Sequence, residues 1–259
     1  MEQTGGLAFA LKYSTLEGRL TMAALLIFSL MSWTVIINKF RQLRKTRKRN
    51  AQFLSLYSSS SSPLEIFRQG KTLQGSVLSD VYFETCEELK QQLAKLGGRL
   101  TRHGMSAVRI AIERAMGEAN ISLEGGMIVL ATAISGGPFV GLLGTVWGVM
   151  DTFSNIARSQ QTSLTAMAPG VSAALINTIV GLLVAIPSLF CYNYLVTKIR
   201  EITIELDNFA AHLENVFETE YLAEGGALRV PGVEDQVMEG ESAQREAYPL
   251  TGSPHPGTV

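Results

Sequence analysis

The sequence predicts an all-α membrane protein with three transmembrane helices and long cytoplasmic helical extensions. Three windows, residues 20–38, 125–150 and 159–197, contain no Asp, Glu, Lys, Arg or His. A helix crosses a membrane with about 20 mostly apolar residues, so each window is long enough for one crossing. No stretch alternates polar and apolar side chains for long, which is the pattern of a half-buried strand.

The first window has two interpretations, a cleaved signal peptide or a retained span. Its apolar stretch is longer than a signal-peptide core of about 7–15 residues, and it lacks a small-x-small cleavage site. The basic cluster also follows the window rather than preceding it. We therefore predict a short periplasmic N-terminus over residues 1–19 and a first transmembrane helix over residues 20–38.

The basic residues predict the orientation. Seven Lys and Arg residues lie between Lys39 and Arg49, directly after the first window, whereas only Lys12 and Arg19 precede it. Positive charge is retained in the cytoplasm, so we expect an N-out/C-in chain with residues 39–124 inside. Because the cluster adjoins a membrane exit, it favours contact with anionic membrane lipid over nucleic-acid binding. The net charge of −1 likewise indicates no nucleic-acid partner.

The cytoplasmic region between the first two spans is predicted to be helical. The serine-rich segment 55–63 has low complexity and is predicted to be a flexible loop. After it, residues 81–100 and 102–119 have helical periodicity, with the two glycines at 97–98 separating the helices.

The second and third spans are predicted over residues 125–150 and 167–197, with a periplasmic turn over residues 151–166. Beyond the third span, apolar residues recur in alternating steps of four and three: Leu195, Ile199, Ile202, Leu206, Phe209, Leu213 and Val216. This stripe covers one side of a helix, so we predict a cytoplasmic helix over residues 198–221 that packs on the preceding helices or on copies of itself. The periodicity stops at residues 222–259, which we predict to be a disordered tail.

Composition and motifs give no indication of an enzyme. The cysteines, Cys86 and Cys191, are isolated and lie on the reducing side of the membrane. The histidines, His103, His212 and His255, match no metal-ligand spacing. The sequence also lacks a nucleophile–base pair and a phosphate loop. We predict no catalytic residue, no metal site and no cofactor.

Glycines interrupt the second and third windows at helical spacing. Gly137, Gly141, Gly144 and Gly148 recur in steps of three or four in the second window, and Gly181 belongs to a similar stripe in the third. Small residues allow helix backbones to approach closely in lipid, where packing drives association. We interpret these five glycines as helix-packing residues.

Three prolines are expected to shape the same spans. Pro138 and Pro187 are predicted to kink helix interiors, where neighbouring groups satisfy the freed carbonyls. Pro169 is predicted in the first turn of the third helix, where proline is tolerated.

Thr145, Thr178 and Asn177 lie among these small residues and have two interpretations. They line a wettable path between the two spans, or they serve packing alone, since interhelical polar contacts in membranes contribute only about 0.6 kcal/mol on average. A proton relay in a membrane needs an ionisable group. Because the three windows contain none, any carboxylate on such a path must come from a partner.

Two segments carry a specific resemblance. GPFVGLLGTVWGVMDTF at 137–153 and MAPGVSAALINTIVGLLVAIPSLFCYNYL at 167–195 closely resemble the ExbB/TolQ/MotA family of proton-channel motor subunits, and its ExbB/TolQ branch in particular. The resemblance implies a ring-forming homo-oligomer, a pentamer, in the bacterial inner membrane around a single-span ExbD- or TolR-like partner with a transmembrane aspartate. It also implies force transfer to a TonB- or TolA-like protein, with the family's pore threonines at Thr145 and Thr178.

The chain departs from the family pattern at the start of the third span. Ala173 stands where the family usually has a glutamate assigned to the proton path, and Asn177 replaces a small residue before Thr178. The leading interpretation is an ion-conducting subunit that couples the proton-motive force to work in the cell envelope. The alternative, consistent with Ala173, is a non-conducting membrane scaffold of the same fold.

Overall fold

The computed structural model describes residues 16–60, 62–95, 100–159 and 164–222. These ranges contain six helices: α1 (Leu16–Ser59), α2 (Glu65–Gln69), α3 (Val77–Lys95), α4 (Arg102–Glu124), α5 (Met127–Ser159) and α6 (Leu164–Tyr221). Within them no strand forms, and a single parallel bridge joins Leu100 to Leu222. The all-α prediction is therefore confirmed for the described part of the chain.

Three of the described helices are long and apolar enough to cross a membrane. The best 18-residue windows of α1, α5 and α6 have mean hydropathies of 2.2, 1.8 and 2.2, respectively. Only 17% of that window is buried in α1, and 33% in α5 and in α6. Apolar side chains therefore cover most of the surface of this three-helix bundle.

The ends of α1 and α6 beyond the bundle pack with α3 and α4 into a helical extension with its own core. An aromatic cluster lies at its centre, where the Phe53 ring is 5.5 Å from Tyr82 and 5.8 Å from Phe209 between centroids. The Tyr82 hydroxyl donates to the Pro63 carbonyl at 2.6 Å and accepts from the Phe67 N–H at 3.2 Å. One buried side chain thus ties the short helix α2 to α3.

The apolar stripe of α6 faces this core. Leu195, Ile199, Ile202, Leu206, Phe209 and Leu213 are all buried. The stripe packs on α1, α3 and α4 of the same chain, and α6 ends at Tyr221. Of the predicted tail, only Leu222 belongs to the described residues.

The predicted loop over residues 55–63 is wrong in its first half. Helix α1 continues to Ser59, because Phe53 and Tyr57 pack into the aromatic cluster on both sides of Ser55. Serine hydroxyls of this turn donate back to carbonyls three or four residues earlier, as Ser58 does to Leu54 at 2.9 Å. Low complexity therefore misled the prediction, since local hydrogen bonds satisfy the serines within a helix.

The next two helices begin and end differently from the prediction. Helix α3 starts at Val77 and α4 continues to Glu124, while the glycines at 97–98 lie outside the described residues. Thr101 caps α4, since its hydroxyl accepts from the Gly104 N–H at 3.0 Å.

A short turn at Gly125 and Gly126 joins α4 to α5. Gly126 has a φ of +83°, a left-handed backbone conformation that residues other than glycine rarely adopt. Lys39 and Gln42 of α1 both donate to the Ser122 carbonyl, at 3.3 and 3.4 Å. Because a helix leaves its last four carbonyls without intrahelical donors, these two side chains cap the end of α4.

The predicted turn over residues 151–166 is shorter in the structure. Residues 151–159 continue α5, and residues 164–166 already belong to α6. Asp151 ends the apolar window but not the helix, which continues to Ser159. The Asn155 amide donates to the Asp151 carboxylate at 3.4 Å, one turn apart.

Candidate functional site

Helices α5 and α6 run antiparallel with their backbones in direct contact. A Cβ placed on Gly181 would lie 2.6 Å from the Gly137 carbonyl oxygen, and one on Gly141 would lie 2.7 Å from the Asn177 carbonyl oxygen. Towards the other end of the contact, a Cβ on Gly148 would lie 2.8 Å from that of Ala174. Only hydrogen fits at these positions, so the glycines set the separation of the two helices.

Gly144 makes a different contact, with α1 as well as α6. A Cβ at this position would lie 2.6 Å from the Thr21 hydroxyl and 2.8 Å from the Asn177 side-chain nitrogen. The polar side chains of Thr21 and Asn177 thus occupy the space that a side chain at position 144 would need. This convergence defines a polar seam, made of Thr21, Gly144 and Asn177, on the α1 side of the bundle.

The close approach of α5 and α6 brings two threonines together. Thr145 Oγ1 lies 2.5 Å from Thr178 Oγ1, and we call these two groups the hydroxyl pair. Thr145 Oγ1 also lies 3.1 Å from the Gly141 carbonyl oxygen and 3.2 Å from that of Ala174, and it can donate its single proton to either of them. Thr178 Oγ1 lies 3.5 Å from the Gly141 carbonyl. Both threonines are only partly buried.

The chemistry of the hydroxyl pair follows from its donors and acceptors. Each hydroxyl donates one proton and accepts through two lone pairs, and two carbonyl oxygens adjoin it. The pair can orient water or a carboxylate and exchange hydrogen bonds with it. It carries no charge near neutral pH, so it cannot by itself hold a transferred proton.

Asn177 does not join the hydroxyl pair, although it precedes Thr178 in the sequence. Its side chain is 1% exposed and lies in the polar seam towards α1. Its Oδ1 has no hydrogen-bond partner among the described residues. Leaving a buried acceptor unpaired costs about 1–3 kcal/mol.

We expect Asn177→Leu to leave the free energy of unfolding of the chain unchanged or to raise it by up to about 1–3 kcal/mol. The substitution removes an unpaired polar group and keeps the number and branching of the side-chain heavy atoms. Thermal unfolding in detergent measures the change. Asn50→Leu is the matched control, because buried Asn50 accepts from the Ser76 hydroxyl at 2.9 Å and its variant should unfold at a lower temperature. An equal loss in both variants would show that Asn177 is paired.

The position of Ala173 also matters for the site. Ala173 is 1% exposed. A buried methyl group therefore occupies the position at which the resemblance leads us to expect a glutamate. Neighbouring Ala174 is buried as well and places its carbonyl on the hydroxyl pair. This end of α6 is therefore closely packed and apolar.

All three prolines lie inside helices. Pro138 lies within α5 and Pro187 within α6, as expected. Pro169 also lies within α6, five positions after Leu164, so the prediction of a first-turn position is wrong. The helix starts earlier because a proline near the beginning removes only one hydrogen bond and does not prevent residues before it from being helical.

Among the described residues, the two cysteines and the acidic side chains form no candidate metal centre. Within residues 16–60, 62–95, 100–159 and 164–222, no group of three or more His, Cys, Asp or Glu side chains could hold a metal ion. Cys86 is buried in the helical extension, and burial raises the pKa of its thiol to about 12. At neutral pH this thiol is therefore protonated and unreactive.

Sequence reasoning missed the part that α1 contributes. Gly18, Thr21, Leu25 and Ser32 form one buried face of α1, and Thr21 reaches the polar seam. Their separations of three, four and seven residues are a helical signal that was available in the sequence. This spacing is easily overlooked because apolar residues surround it on every side of the predicted helix.

Three apolar helices, two of them held in backbone contact around paired hydroxyls, define a multi-pass membrane protein. The sequence model of the MotA/TolQ/ExbB proton channel family matches residues 85–208. The chain belongs to this family.

Individual relatives support the ExbB/TolQ branch. The Tol-Pal system protein TolQ of Haemophilus influenzae is 32% identical over 197 residues, covering 74% of this chain and 84% of that protein. The biopolymer transport protein ExbB of Salmonella typhimurium is 32% identical over 199 residues, covering 74% and 78%. ExbB of Pseudomonas putida is 30% identical over 196 residues, covering 75% of this chain and 58% of that protein. The resemblance seen in the sequence is confirmed.

Proposed function

We propose that this chain is an ion-conducting motor subunit that couples the proton-motive force to work in the cell envelope. The observation that carries the proposal is the hydroxyl pair of Thr145 and Thr178, together with the carbonyls of Gly141 and Ala174. These groups accept and donate hydrogen bonds at one point within the membrane spans. In this proposal they orient water and a proton-carrying group beside the α5–α6 contact.

The proton-carrying group comes from a partner. The charge-free windows of this chain contain no Asp, Glu, Lys, Arg or His, and a proton relay in a membrane needs an ionisable group of this kind. We propose an ExbD- or TolR-like single-span subunit whose transmembrane aspartate faces the hydroxyl pair. A TonB- or TolA-like protein receives the resulting force.

The assembly is proposed to be a homo-oligomeric ring, a pentamer, in the bacterial inner membrane. Large apolar side chains remain exposed on α5 and α6 of the single chain: Phe139, Leu142, Val146, Trp147, Leu175, Ile179 and Leu182. Such faces suit contacts with neighbouring subunits, the partner span and lipid. The proposed orientation is N-out/C-in, with residues 39–124 and 198–221 in the cytoplasm.

The energy available is sufficient for mechanical work. One elementary charge crossing 100 mV releases about 2.3 kcal/mol. Several such transfers through one ring exceed the free energy of many conformational changes.

A second candidate is a non-conducting scaffold of the same fold. The observation favouring it is buried Ala173, which places a methyl group at the family's glutamate position. Such a protein would retain the α5–α6 contact and bind the partner but pass no protons.

Proton flux into liposomes tests the proposal. The full chain, reconstituted with a single-span partner that carries a membrane aspartate, should acidify the lumen when a potential is applied. The chain alone should not, because its spans contain no Asp, Glu, Lys, Arg or His. Flux through the chain alone would refute the partner requirement, and absence of flux in the complex would favour the scaffold.

A further inference from the structure

A groove lies between α1 and α6 where both helices leave their charge-free windows. Its volume is about 500 Å³, and both helices line its full length. None of the residues that line the groove belongs to the hydroxyl pair or to the polar seam.

Two aromatic rings mark the membrane end of the groove. Phe40 follows the first charge-free window by two residues, and Tyr194 lies within the last turn of the third. Their ring centroids are 6.0 Å apart. Aromatic side chains concentrate at the level of lipid headgroups, so this end of the groove is at the membrane surface.

One turn beyond each ring, the helix carries a cation. The Arg44 guanidinium carbon lies 4.3 Å from the Phe40 ring centroid, and Lys198 Nζ lies 5.9 Å from that of Tyr194. On each of these two parallel helices, an aromatic residue is followed four positions later by a cation. Both pairs line the same groove.

The acidic residues of the groove are already engaged. Glu201 accepts from Lys198 with both carboxylate oxygens, at 2.6 and 2.8 Å, and Glu205 accepts from Asn50 at 3.5 Å. Three cations, Arg44, Arg47 and Lys198, face these two carboxylates, which leaves an excess of one positive charge. Within the described residues, Arg44 has no hydrogen-bonded carboxylate.

We propose that this groove binds one anionic phospholipid of the cytoplasmic leaflet. The phosphodiester accepts from Arg44, and the adjoining acyl chain passes between Phe40 and Tyr194 into the bilayer. A lipid with a single net negative charge complements the excess charge of the groove. Free phosphate lacks the apolar portion that the rings would contact.

Native mass spectrometry of the full chain released from nanodiscs tests the proposal. The discs contain equal amounts of phosphatidylglycerol and phosphatidylethanolamine. The unmodified chain should retain phosphatidylglycerol in preference, and Arg44→Gln should lower that retention about tenfold, as expected for loss of a charge-assisted hydrogen bond. Lys198→Gln, a second variant, should lower it as well.

Arg49→Gln is the matched control, because exposed Arg49 lies on the same helix outside the groove and its loss removes the same charge. Retention in this variant should equal that of the unmodified chain. An equal fall in Arg44→Gln and Arg49→Gln would overturn the proposal in favour of unspecific charge attraction. Equal retention of both lipids, or displacement by inorganic phosphate, would also overturn it.

Discussion

Thr178→Val is expected to abolish energised function and to leave assembly intact. Valine has nearly the shape of threonine, so the α5–α6 contact is preserved while the hydroxyl pair loses one member. Thr145 Oγ1 then keeps the carbonyls of Gly141 and Ala174 as its remaining neighbours. Growth dependent on the energised envelope system, together with proton flux in liposomes, measures the effect. Thr145→Ala should abolish function for the same reason.

Two substitutions make this test specific. Thr178→Ser keeps a hydroxyl at the same position and should retain much of the activity. Thr132→Val removes a hydroxyl from α5 that is exposed and donates only to its own helix, to Ile128 at 2.8 Å, so full activity is expected. Full activity in Thr178→Val and Thr145→Ala would remove both threonines from the proposed path.

Gly181→Ala is expected to push α5 and α6 apart. The added methyl would lie 2.6 Å from the Gly137 carbonyl oxygen and 3.2 Å from the Gly141 Cα, and both are backbone atoms that cannot rotate away. Overpacking costs about 1–3 kcal/mol even where side chains can adjust, so the apparent melting temperature in detergent should fall clearly. Separation of the helices should also weaken the hydroxyl pair and reduce proton flux.

Gly136→Ala provides the calibration for this experiment. A Cβ at Gly136 meets no atom within 4 Å, so this variant reports only the gain in helix propensity, about 1 kcal/mol. Its melting temperature should remain equal or rise. If Gly181→Ala melts at the same temperature as Gly136→Ala, the close contact of the two helices does not exist in the folded protein.

The long helices were predictable because their signals are local. Apolar windows without charge predicted three spans, and the four-three spacing from Leu195 to Val216 predicted the end of α6 near Tyr221. The helix boundaries that were predicted wrongly had been inferred from composition. Residues 55–59 and 151–159 are polar enough for loops, yet they continue helices whose other faces pack or whose side chains bond within one turn.

The partners of the polar side chains were less predictable. Thr145 and Thr178 had two interpretations, a shared wettable path or packing alone, and the structure brings their hydroxyls together without deciding between the two. Asn177 was grouped with them, but its side chain faces Thr21 and Gly144. The capping of α4 by Lys39 and Gln42 was not anticipated, because it joins residues about 80 positions apart.

The residue pattern alone predicts three apolar helices, the absence of Asp, Glu, Lys, Arg and His from their charge-free windows, and the motifs of the MotA/TolQ/ExbB family. Which side chains meet follows only from the packing of the helices. Successive residues of a helix point about 100° apart, so Thr178 faces α5 while Asn177 faces the seam with α1. That choice depends on the rotation of each helix, which the backbone contacts at Gly137, Gly141 and Gly181 determine.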